Sequence, residues 1–418
     1  MKDSTSTAVA EKVRKIVLSQ PAEPFLPPQV ATSPLWAAMK RCGSSLWLDT
    51  GDMDEISLMW RREFTALTTN NTLLNREVQK GIYDDLIGQV AGELKGQVPE
   101  EDRVVEIAFV LNARHGLRLS RRFGAKVSVE MHTALAHDAD RTVRYGLRYR
   151  EISPESFYVK VPLTPAGILA ARRLGEQGVP VNFTLGFSAR QNWLITSLAR
   201  PAFVNVFLGR LNAFVADQRL GSGKAVGEKA TLASQRAVRE LRAGPGIATR
   251  QIAASLRDGA QVAALAGVDV LTMPPKVAQQ FERLNPAPAG LSPTVDQDPE
   301  VELAPSVDAK ALGIAALWEV PPDFRKAVRD LLERDLSRWS ASALCEFLAE
   351  RGFADVLPAW SPADIQGVTA DGKVPQYARW KDRLARGEIG LDALMTVSGL
   401  CSFTTDQQAM DDRIRSKL

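Results

Sequence analysis

The chain has 418 residues, 45% hydrophobic and 24% charged, which is the balance of a globular protein with a large buried core. Its 52 basic and 49 acidic residues leave a net charge of only +3, so nothing predicts a nucleic acid or a membrane surface as partner. Three cysteines and three histidines are too few for a disulfide framework or a multi-histidine metal centre.

The compartment expected from the sequence is the cytoplasm. The segment MKDSTSTAVAEKVRK at 1–15 lacks the apolar run of a secretory signal, and no stretch approaches the ~18 apolar residues needed to span a membrane. Cys42, Cys345 and Cys401 are therefore interpreted as reduced thiols. We expect neither a metal ion nor a cofactor.

The chain is predicted to begin with a flexible arm at 1–33, rich first in Ser and Thr and then in Pro. Ser33 is then expected to cap a short helix that has Pro34 at its first position and stops at Gly43.

From Leu46 onward, short apolar runs alternate with amphipathic helical patterns. The runs are nearly continuous, which is typical of parallel strands buried on both faces. Such a series favours a (β/α)8 barrel over its alternative, an open doubly wound sheet, and no Gly-x-Gly-x-x-Gly motif follows the first run. The runs are LWLDT (46–50), ALTTN (66–70), VSVEM (127–131), FYVKVP (157–162), VNFTLGF (181–187), FVNVFLG (203–209), RQIAAS (250–255) and VDVLTMP (268–274).

Two further segments follow the predicted barrel, which spans 34–285. Residues 286–308 are rich in Pro and Asp, show no periodicity and are predicted to be a linker. Residues 309–418 show helical patterns, so we expect the barrel to carry additional C-terminal helices.

Polar side chains interrupt or end seven of the eight runs. In a parallel barrel such positions gather at the carboxyl ends of the strands, where barrel enzymes place their chemistry. Capping explains one polar residue at a strand end, but it explains seven strands poorly. The residues are Asp49, Asn70, Glu130, Lys160, Asn182 with Thr184, Asn205 and Ser255.

Lys160 is the most informative of these residues, because it places an amine inside an apolar strand. Desolvation disfavours an ammonium ion, and a neutral amine can attack a ketone to form a Schiff base that assists cleavage of a neighbouring C–C bond. That chemistry needs proton transfer but no metal, and Glu130, Asp49 and Thr184 are suitable residue types. The alternative is a purely structural ion pair between Lys160 and Glu130.

Two arginines follow the late strands. Arg210 lies just beyond the sixth run, and Ser255 and Arg257 lie just beyond the seventh. Barrel phosphate sites often use late loops, and the arginine fork suits phosphate oxygens. The alternative is that both arginines are merely solvated.

The motifs that contain these residues resemble those of the transaldolase family, and they occur in the family's order. The resemblance covers roughly 34–285, and 382–412 resembles the family's closing helices. It implies a (β/α)8 barrel acting on sugar phosphates. The motifs are LWLDTGD, TTNNTLL, VSVEM, YVKVPLTPAGI, VNFTLGFS, FLGRL, AASLRD and AGVDVLTMPP.

The resemblance also implies a role for each residue. Lys160 would be the nucleophile, Glu130 and Thr184 would hold the catalytic water, and Asp49 would be the acid/base for C–C cleavage. The substrate would be bound by Asn70, Asn182, Asn205, Phe207, Arg210, Ser255 and Arg257, the last three of them gripping its phosphate.

The activity implied is that of a transferase in the pentose phosphate pathway. It would pass a dihydroxyacetone unit from a ketose phosphate, sedoheptulose 7-phosphate or fructose 6-phosphate, to glyceraldehyde 3-phosphate or erythrose 4-phosphate. Related fructose-6-phosphate aldolases typically carry glutamine at the position of Glu130, so the carboxylate favours transfer.

The chain departs from the family pattern in three places. Asn71 stands where the family usually has proline, Asn205 stands where it commonly has serine, and 309–380 is longer than the family core requires. Two alternatives stay open: an aldolase or transferase for another sugar, and a non-catalytic barrel that acts as a binding or scaffold protein. The sequence also leaves open whether the protein is a homodimer.

Overall fold

The computed structural model describes residues 7–19 and 31–418. At its centre is a closed barrel in which each strand runs parallel to the next and the last pairs with the first. This confirms the predicted (β/α)8 barrel and excludes the open sheet. The strands are β1 (Ser45–Asp49), β2 (Phe64–Thr68), β3 (Lys126–Glu130), β4 (Phe157–Pro162), β5 (Val181–Thr184), β6 (Phe203–Phe207), β7 (Arg250–Ala254) and β8 (Val270–Met273).

Helices surround the barrel and cross its carboxyl end. They are α1 (Thr7–Leu18), α2 (Pro34–Arg41), α3 (Met53–Met59), α4 (Asn71–Gln79), α5 (Asp84–Leu94), α6 (Glu100–Phe123), α7 (Ala139–Ile152), α8 (Pro165–Glu176), α9 (Ala189–Ala199), α10 (Leu208–Asp217), α11 (Val226–Arg242), α12 (Ala260–Ala264), α13 (Pro275–Leu284), α14 (Ala309–Leu312), α15 (Pro322–Leu332), α16 (Ala341–Glu350), α17 (Pro362–Asp371), α18 (Tyr377–Ala385) and α19 (Leu391–Arg415). Within the described ranges, no helix is long and apolar enough to cross a membrane.

The strands form where the sequence predicts them because their side chains are apolar on both faces. Every residue of β5 and β6 is buried, since helices cover the outside of the barrel and side chains from the other strands fill its inside. The predicted start of α2 is also confirmed: the Ser33 side chain accepts a hydrogen bond from the Trp36 amide, and Pro34 is the first helical residue.

Helix α1 corrects the expectation of a flexible N-terminal arm. Val9, Val13 and Val17 are buried, and α1 contacts α5, α6 and α7. The Arg114 side chain of α6 donates a hydrogen bond to the Ile16 carbonyl. The arm expectation is wrong for this part, because apolar residues with helical spacing pack against the barrel's outer helices. The remainder of the predicted arm, apart from residues 19 and 31–33, lies outside the described residues.

The predicted linker at 286–308 has little regular structure, but it is fixed to the outside of the barrel. Arg236 of α11 donates to the carbonyls of Val295 and Gln297 at 2.9 and 2.8 Å. Lys229 of the same helix pairs with Asp298 at 2.7 Å. Residues 286–308 therefore connect the barrel to the C-terminal helices while remaining bonded to the barrel surface.

Helix α19 lies across the loops at the carboxyl end of the barrel. Near its start, buried Asp392 accepts hydrogen bonds from Arg190 Nη2 and Nε at 2.7 and 2.8 Å, which ties it to the beginning of α9. Near its end, Asp411 contacts His132, just after β3, at 3.2 Å. The helix consequently forms one wall of the space at the carboxyl end of the barrel.

Candidate active site

A cavity of about 200 Å³ lies at the carboxyl end of the barrel. All the predicted site residues line it except Glu130 and Thr184, which are buried beside it. The residues from this set in the cavity wall are Asp49, Asn70, Lys160, Asn182, Asn205, Phe207, Arg210, Ser255 and Arg257. The structure therefore brings the polar positions of seven strands to one place.

Lys160 and Glu130 face each other on adjacent strands. Their Cα atoms are register partners of β4 and β3, and the Lys160 Nζ lies 3.8 Å from Glu130 Oε2. Nζ also donates a hydrogen bond to the Thr69 carbonyl at 2.8 Å. The 3.8 Å separation is too long for a hydrogen bond, so the two groups are close in space but are not hydrogen-bonded to each other.

Glu130 is a carboxyl group suited to proton transfer near neutral pH. Burial raises the pKa of Glu130 to about 7, and the positive charge of Lys160 offsets only part of that effect. A group with this pKa exchanges protons readily at neutral pH, which is what a general acid/base requires.

Three buried oxygen atoms near the lysine have no hydrogen-bond partner among the described residues. They are Glu130 Oε2, Asn182 Oδ1 and Thr184 Oγ1. Asn182 is the register partner of Lys160 on β5, and Thr184 is the register partner of Pro162. Because a buried polar atom without a partner costs free energy, such a group of atoms indicates a place where a ligand or water is bound.

Asp49, at the end of β1, is held by the Thr68 hydroxyl, a contact that the sequence does not predict. Its Oδ1 accepts a hydrogen bond from Thr68 Oγ1 at 2.6 Å, and that hydroxyl lies 2.7 Å from Thr272 Oγ1. Thr68 and Thr272 both line the cavity. The contacts fix the carboxylate at the cavity wall.

Asn70 and Asn182 offer complementary hydrogen-bonding atoms. Asn70 caps α4 by accepting from the Leu73 amide at 2.8 Å, which leaves its NH₂ group without a hydrogen bond inside the described structure. Asn182 Nδ2 instead donates to Ser128 Oγ at 2.9 Å, which leaves its carbonyl oxygen unpartnered. Together they present a donor and an acceptor, as recognition of sugar hydroxyls requires.

Asn205 lines the cavity as expected, but both ends of its amide are occupied. Its Oδ1 accepts from the Gly186 amide at 3.1 Å, and its Nδ2 donates to the Phe183 carbonyl. The asparagine thus braces the loop after β5, where Leu185 has a left-handed φ of 66°. We now expect Asn205 to shape the pocket and not to hydrogen-bond the substrate directly.

The two predicted phosphate-binding arginines lie close enough to repel each other. Burial, reinforced by the charge of Arg257, lowers the pKa of Arg210 to about 10, which leaves it charged at neutral pH. Its guanidinium lies 5.8 and 5.6 Å from the ring centroids of Phe207 and Phe403, and its Nη1 has no partner among the described residues. An anion would relieve the repulsion and satisfy Nη1.

Gly209 is what lets these arginine-bearing loops approach. A Cβ at Gly209 would lie 2.2 Å from the Ser255 carbonyl oxygen and 2.7 Å from Arg257 Cγ. Any larger residue would therefore push the start of α10 away from the loop after β7. Ser255 itself has a left-handed φ of 65°, which turns this loop over the cavity.

The cavity wall also contains residues from outside the predicted set. Arg76 comes from α4, Lys373 from the loop between α17 and α18, and Phe403 from α19. Arg76 lies four residues after Thr72, so helical spacing could have suggested it. No local pattern marks Lys373 or Phe403, because their place depends on how the C-terminal helices fold back over the barrel.

A closed (β/α)8 barrel with a buried lysine–carboxylate pair and two adjacent arginines at its carboxyl end has the architecture of a barrel enzyme, with polar groups gathered where such enzymes place their chemistry. The comparisons with known proteins agree with that class. The profile of the family described as "Transaldolase/Fructose-6-phosphate aldolase" matches residues 46–334. The chain belongs to this family of enzymes, whose members are transferases and aldolases.

Proteins named transaldolase are similar to the chain over most of their own length. One from Xanthomonas campestris pv. campestris is 31% identical over 262 residues, which is 60% of this chain and 80% of the relative. One from Xanthomonas euvesicatoria pv. vesicatoria is 30% identical over 297 residues, 69% of this chain and 90% of the relative. One from Methylibium petroleiphilum is 29% identical over 278 residues, covering 63% and 82%.

Proposed function

We propose that the protein is a transaldolase that moves a dihydroxyacetone unit from a ketose phosphate to an aldose phosphate through a Schiff base on Lys160. The observation that carries the proposal is the buried Lys160 Nζ, 3.8 Å from a carboxyl group whose pKa is about 7. Family membership supports the same chemistry. In this proposal the enzyme acts in the cytoplasm, in the pentose phosphate pathway.

The first half of the proposed reaction cleaves the donor. Glu130 takes a proton from Lys160, and the resulting neutral amine adds to the ketone carbon. Glu130 with a water held at Thr184 then transfers the protons needed to lose water and form the iminium ion. Asp49 then takes the proton of the hydroxyl on the fourth carbon. The bond between the third and fourth carbons breaks, its electron pair forms an enamine, and the aldehyde leaves.

The second half reverses these steps on a different aldehyde. The enamine carbon attacks the acceptor's carbonyl carbon, and Asp49 returns its proton to the new hydroxyl. Water then hydrolyses the iminium and frees Lys160. Asn70 and Asn182 are proposed to hold the hydroxyls of the three-carbon unit between the two halves, because they offer one donor and one acceptor beside Lys160.

The proposed phosphate site is formed by Arg210, Arg257 and Ser255. Donor and acceptor would bind to it in turn, which explains how one site serves two substrates. Arg210 Nη1, buried and unpartnered among the described residues, is the atom best prepared to bind a phosphate oxygen. Phosphate binding would then position each aldehyde against the enamine.

A turnover assay with and without an acceptor tests the proposal. With fructose 6-phosphate as donor, we expect rapid release of glyceraldehyde 3-phosphate only when erythrose 4-phosphate is supplied, with sedoheptulose 7-phosphate as the second product. Equal rates with and without acceptor would show an aldolase that releases free dihydroxyacetone. Absence of any ketose cleavage by folded protein would favour the binding or scaffold alternative.

A further inference from the structure

One cation at the cavity comes from the segment whose role the sequence left open. Lys373 lies within 309–380, in the loop between α17 and α18, and it lines the same cavity as Arg210 and Arg257. The family match ends at residue 334, so Lys373 lies beyond it. The helical segment therefore does more than cover the barrel's surface.

The loop that carries Lys373 is fixed by a buried carboxylate. The Asp371 side chain is only 1% exposed and accepts hydrogen bonds from the Gln376 amide at 3.1 Å, Trp380 Nε1 at 2.8 Å and Arg379 Nε at 3.0 Å. The loop therefore leaves α17 and returns to α18 in one defined conformation, with Lys373 at its turn. Such rigidity is what a binding residue needs if it is to contribute affinity.

Two more contacts attach the loop to α19 and to the end of α10. Ser398 Oγ of α19 donates to the Gly372 carbonyl at 3.0 Å, and the Tyr377 amide donates to Gln218 Oε1, just after α10, at 3.0 Å. Helix α10 is the helix that carries Arg210 in its first turn. The loop is thus held by α19 and by the far end of the helix that carries Arg210.

Arg210 itself lies beside α19, one residue along from the loop's attachment at Ser398. A Cβ built on Gly399, which follows Ser398, would lie 3.4 Å from Arg210 Nη1. The guanidinium therefore lies beside Gly399, the residue that follows the Ser398 bonded to the Gly372 carbonyl. Arg76, the other cation of the cavity wall, belongs to α4, which follows β2, four strands from β6 in the closed barrel.

The lysine is also available to a ligand. Its side chain is exposed and forms no ion pair within the described part of the chain, unlike Arg379, which pairs with Asp371. A lysine amine on a flexible four-carbon stem can reach a nearby phosphate oxygen as a point charge. With Arg210 and Arg257, it would make three cations for one phosphate dianion.

We propose that Lys373 is a third cationic ligand of the substrate's phosphate group, and that 309–380 is in this way part of the substrate site. The ligand class is a phosphate monoester dianion. That the ligand is specifically a sugar phosphate rests on the proposed function, whereas the affinity for phosphate follows from the three cations alone.

Binding of inorganic phosphate, measured by calorimetry on the full chain, tests the proposal without requiring turnover. We expect Lys373→Gln to weaken phosphate binding about tenfold, since one charge-assisted contact is lost. Lys373→Arg should bind within about threefold of the unmodified protein. Lys381→Gln is the matched control, because Lys381 is an exposed lysine of α18 in the same segment and the charge change is identical.

Kinetics with fructose 6-phosphate give the second readout. Lys373→Gln should raise KM about tenfold with kcat within about twofold, because the lysine touches the phosphate and not the reacting carbons. Unchanged phosphate binding in Lys373→Gln, an equal loss in Lys381→Gln, or no phosphate binding by the unmodified protein would overturn the proposal.

The two proposals can fail separately. A protein without ketose cleavage whose phosphate affinity still depends on Lys373 would contradict the proposed function alone. Normal transfer activity with an unchanged KM in Lys373→Gln would contradict the role of Lys373 alone. Far-ultraviolet circular dichroism and thermal melting of each variant confirm that the loop change has not unfolded the segment.

Discussion

The two ends of the barrel both contain a hollow with aromatic and basic side chains, yet only one has the properties of a reactive site. The hollow at the amino end is about 500 Å³, larger than the 200 Å³ cavity at the carboxyl end. Its wall includes Trp47, which stacks on Tyr158 at 5.5 Å, and both rings meet the edge of Phe203 at 4.8 Å. Size and aromatic content alone would therefore have selected the amino end.

What separates the two ends is whether the polar groups have partners. At the amino end, Arg250 Nη2 donates to Ser45 Oγ at 2.9 Å and to the Asp269 carbonyl at 2.6 Å, and none of the described lining residues has a buried unpartnered polar atom. At the carboxyl end, Glu130, Asn182, Thr184 and Arg210 each have one. Unpartnered polar groups thus make the carboxyl end the candidate binding site, whereas the polar groups of the amino end already have partners within the protein.

The largest expected effect comes from exchanging one lysine at each end. Lys160→Met should lower kcat/KM for fructose 6-phosphate at least about 1,000-fold, because the nucleophile is lost. Lys126→Met, at the first residue of β3, should stay within about twofold, since Lys126 only lies over the Tyr158 ring, 5.4 Å from its centroid. If Lys160→Met kept more than a tenth of the unmodified protein's kcat/KM, the carboxyl end could not be called the reactive end of the barrel.

Glu130 gives the next largest effect, and it depends on pH. Its pKa is about 7 in the folded protein against 4.5 for an ordinary glutamate, so the folded state holds the proton more tightly. The stability this provides is complete below pH 4.5 and is lost as the pH rises through 7. The free energy of unfolding of the unmodified protein, minus that of Glu130→Gln, should fall by about 3 kcal/mol over this range.

Urea titrations at a series of pH values measure this difference. If the free energies of unfolding of the two proteins differ by the same amount at every pH from acid to neutral, the pKa of Glu130 is not raised in the folded protein. The acidic limb of the pH–kcat profile supplies an independent check, because it should change in Glu130→Gln if the carboxyl transfers protons.

Arg250 lies at the start of β7 and Arg257 lies just after its end, so one substitution at each position compares the two ends of the barrel on the same strand. Arg257→Ala should raise KM for fructose 6-phosphate by about 10- to 100-fold and change KM for unphosphorylated fructose much less, because a charge-assisted phosphate contact is lost. The melting temperature of the Arg257→Ala protein should not change, since the Arg257 side chain is exposed. Equal losses for both substrates would reject the phosphate assignment.

Arg250→Ala should behave in the opposite way. Loss of its bonds to Ser45 and the Asp269 carbonyl should lower the free energy of unfolding by about 1–2 kcal/mol. At temperatures where the variant is folded, its kcat/KM should stay within about twofold. A KM that depends on the substrate's phosphate would instead make the amino end part of the substrate site.

The smallest expected effect belongs to the aromatic group of the amino end. Trp47→Phe should cost about 1 kcal/mol of stability through weaker stacking on Tyr158. Activity should be unchanged, although Trp47 is only two residues from Asp49 on β1. Thermal unfolding and a kcat/KM measurement on the same preparation check both halves of this expectation.

The sequence predicts the barrel well because its evidence is local. Runs such as FYVKVP at 157–162 coincide with β4, since a strand buried on both faces must be apolar nearly throughout. It also places Lys160, Glu130 and Asp49 near one another, because the carboxyl ends of parallel strands meet at one end of the barrel. Helix α1 is not predicted, because the Ser, Thr and Pro residues on either side of its apolar positions favour a flexible arm.

What the sequence could not supply is the partner of each side chain. Asn205 belongs to the right strand, but its bonds to Gly186 and Phe183 depend on how the loop after β5 folds. Thr272 supports Asp49 only indirectly, through the Thr68 hydroxyl. Lys373 and Phe403 reach the cavity because distant helices fold back over it, and no spacing along the chain encodes that contact.

Trapping of the covalent intermediate tests the central claim most directly. The protein is incubated with fructose 6-phosphate, reduced with borohydride, digested and analysed by peptide mass mapping, with Lys160→Met treated in parallel. The account predicts a stable three-carbon adduct on Lys160 and none in the variant. No adduct, or adducts only on other lysines such as Lys126, would contradict it.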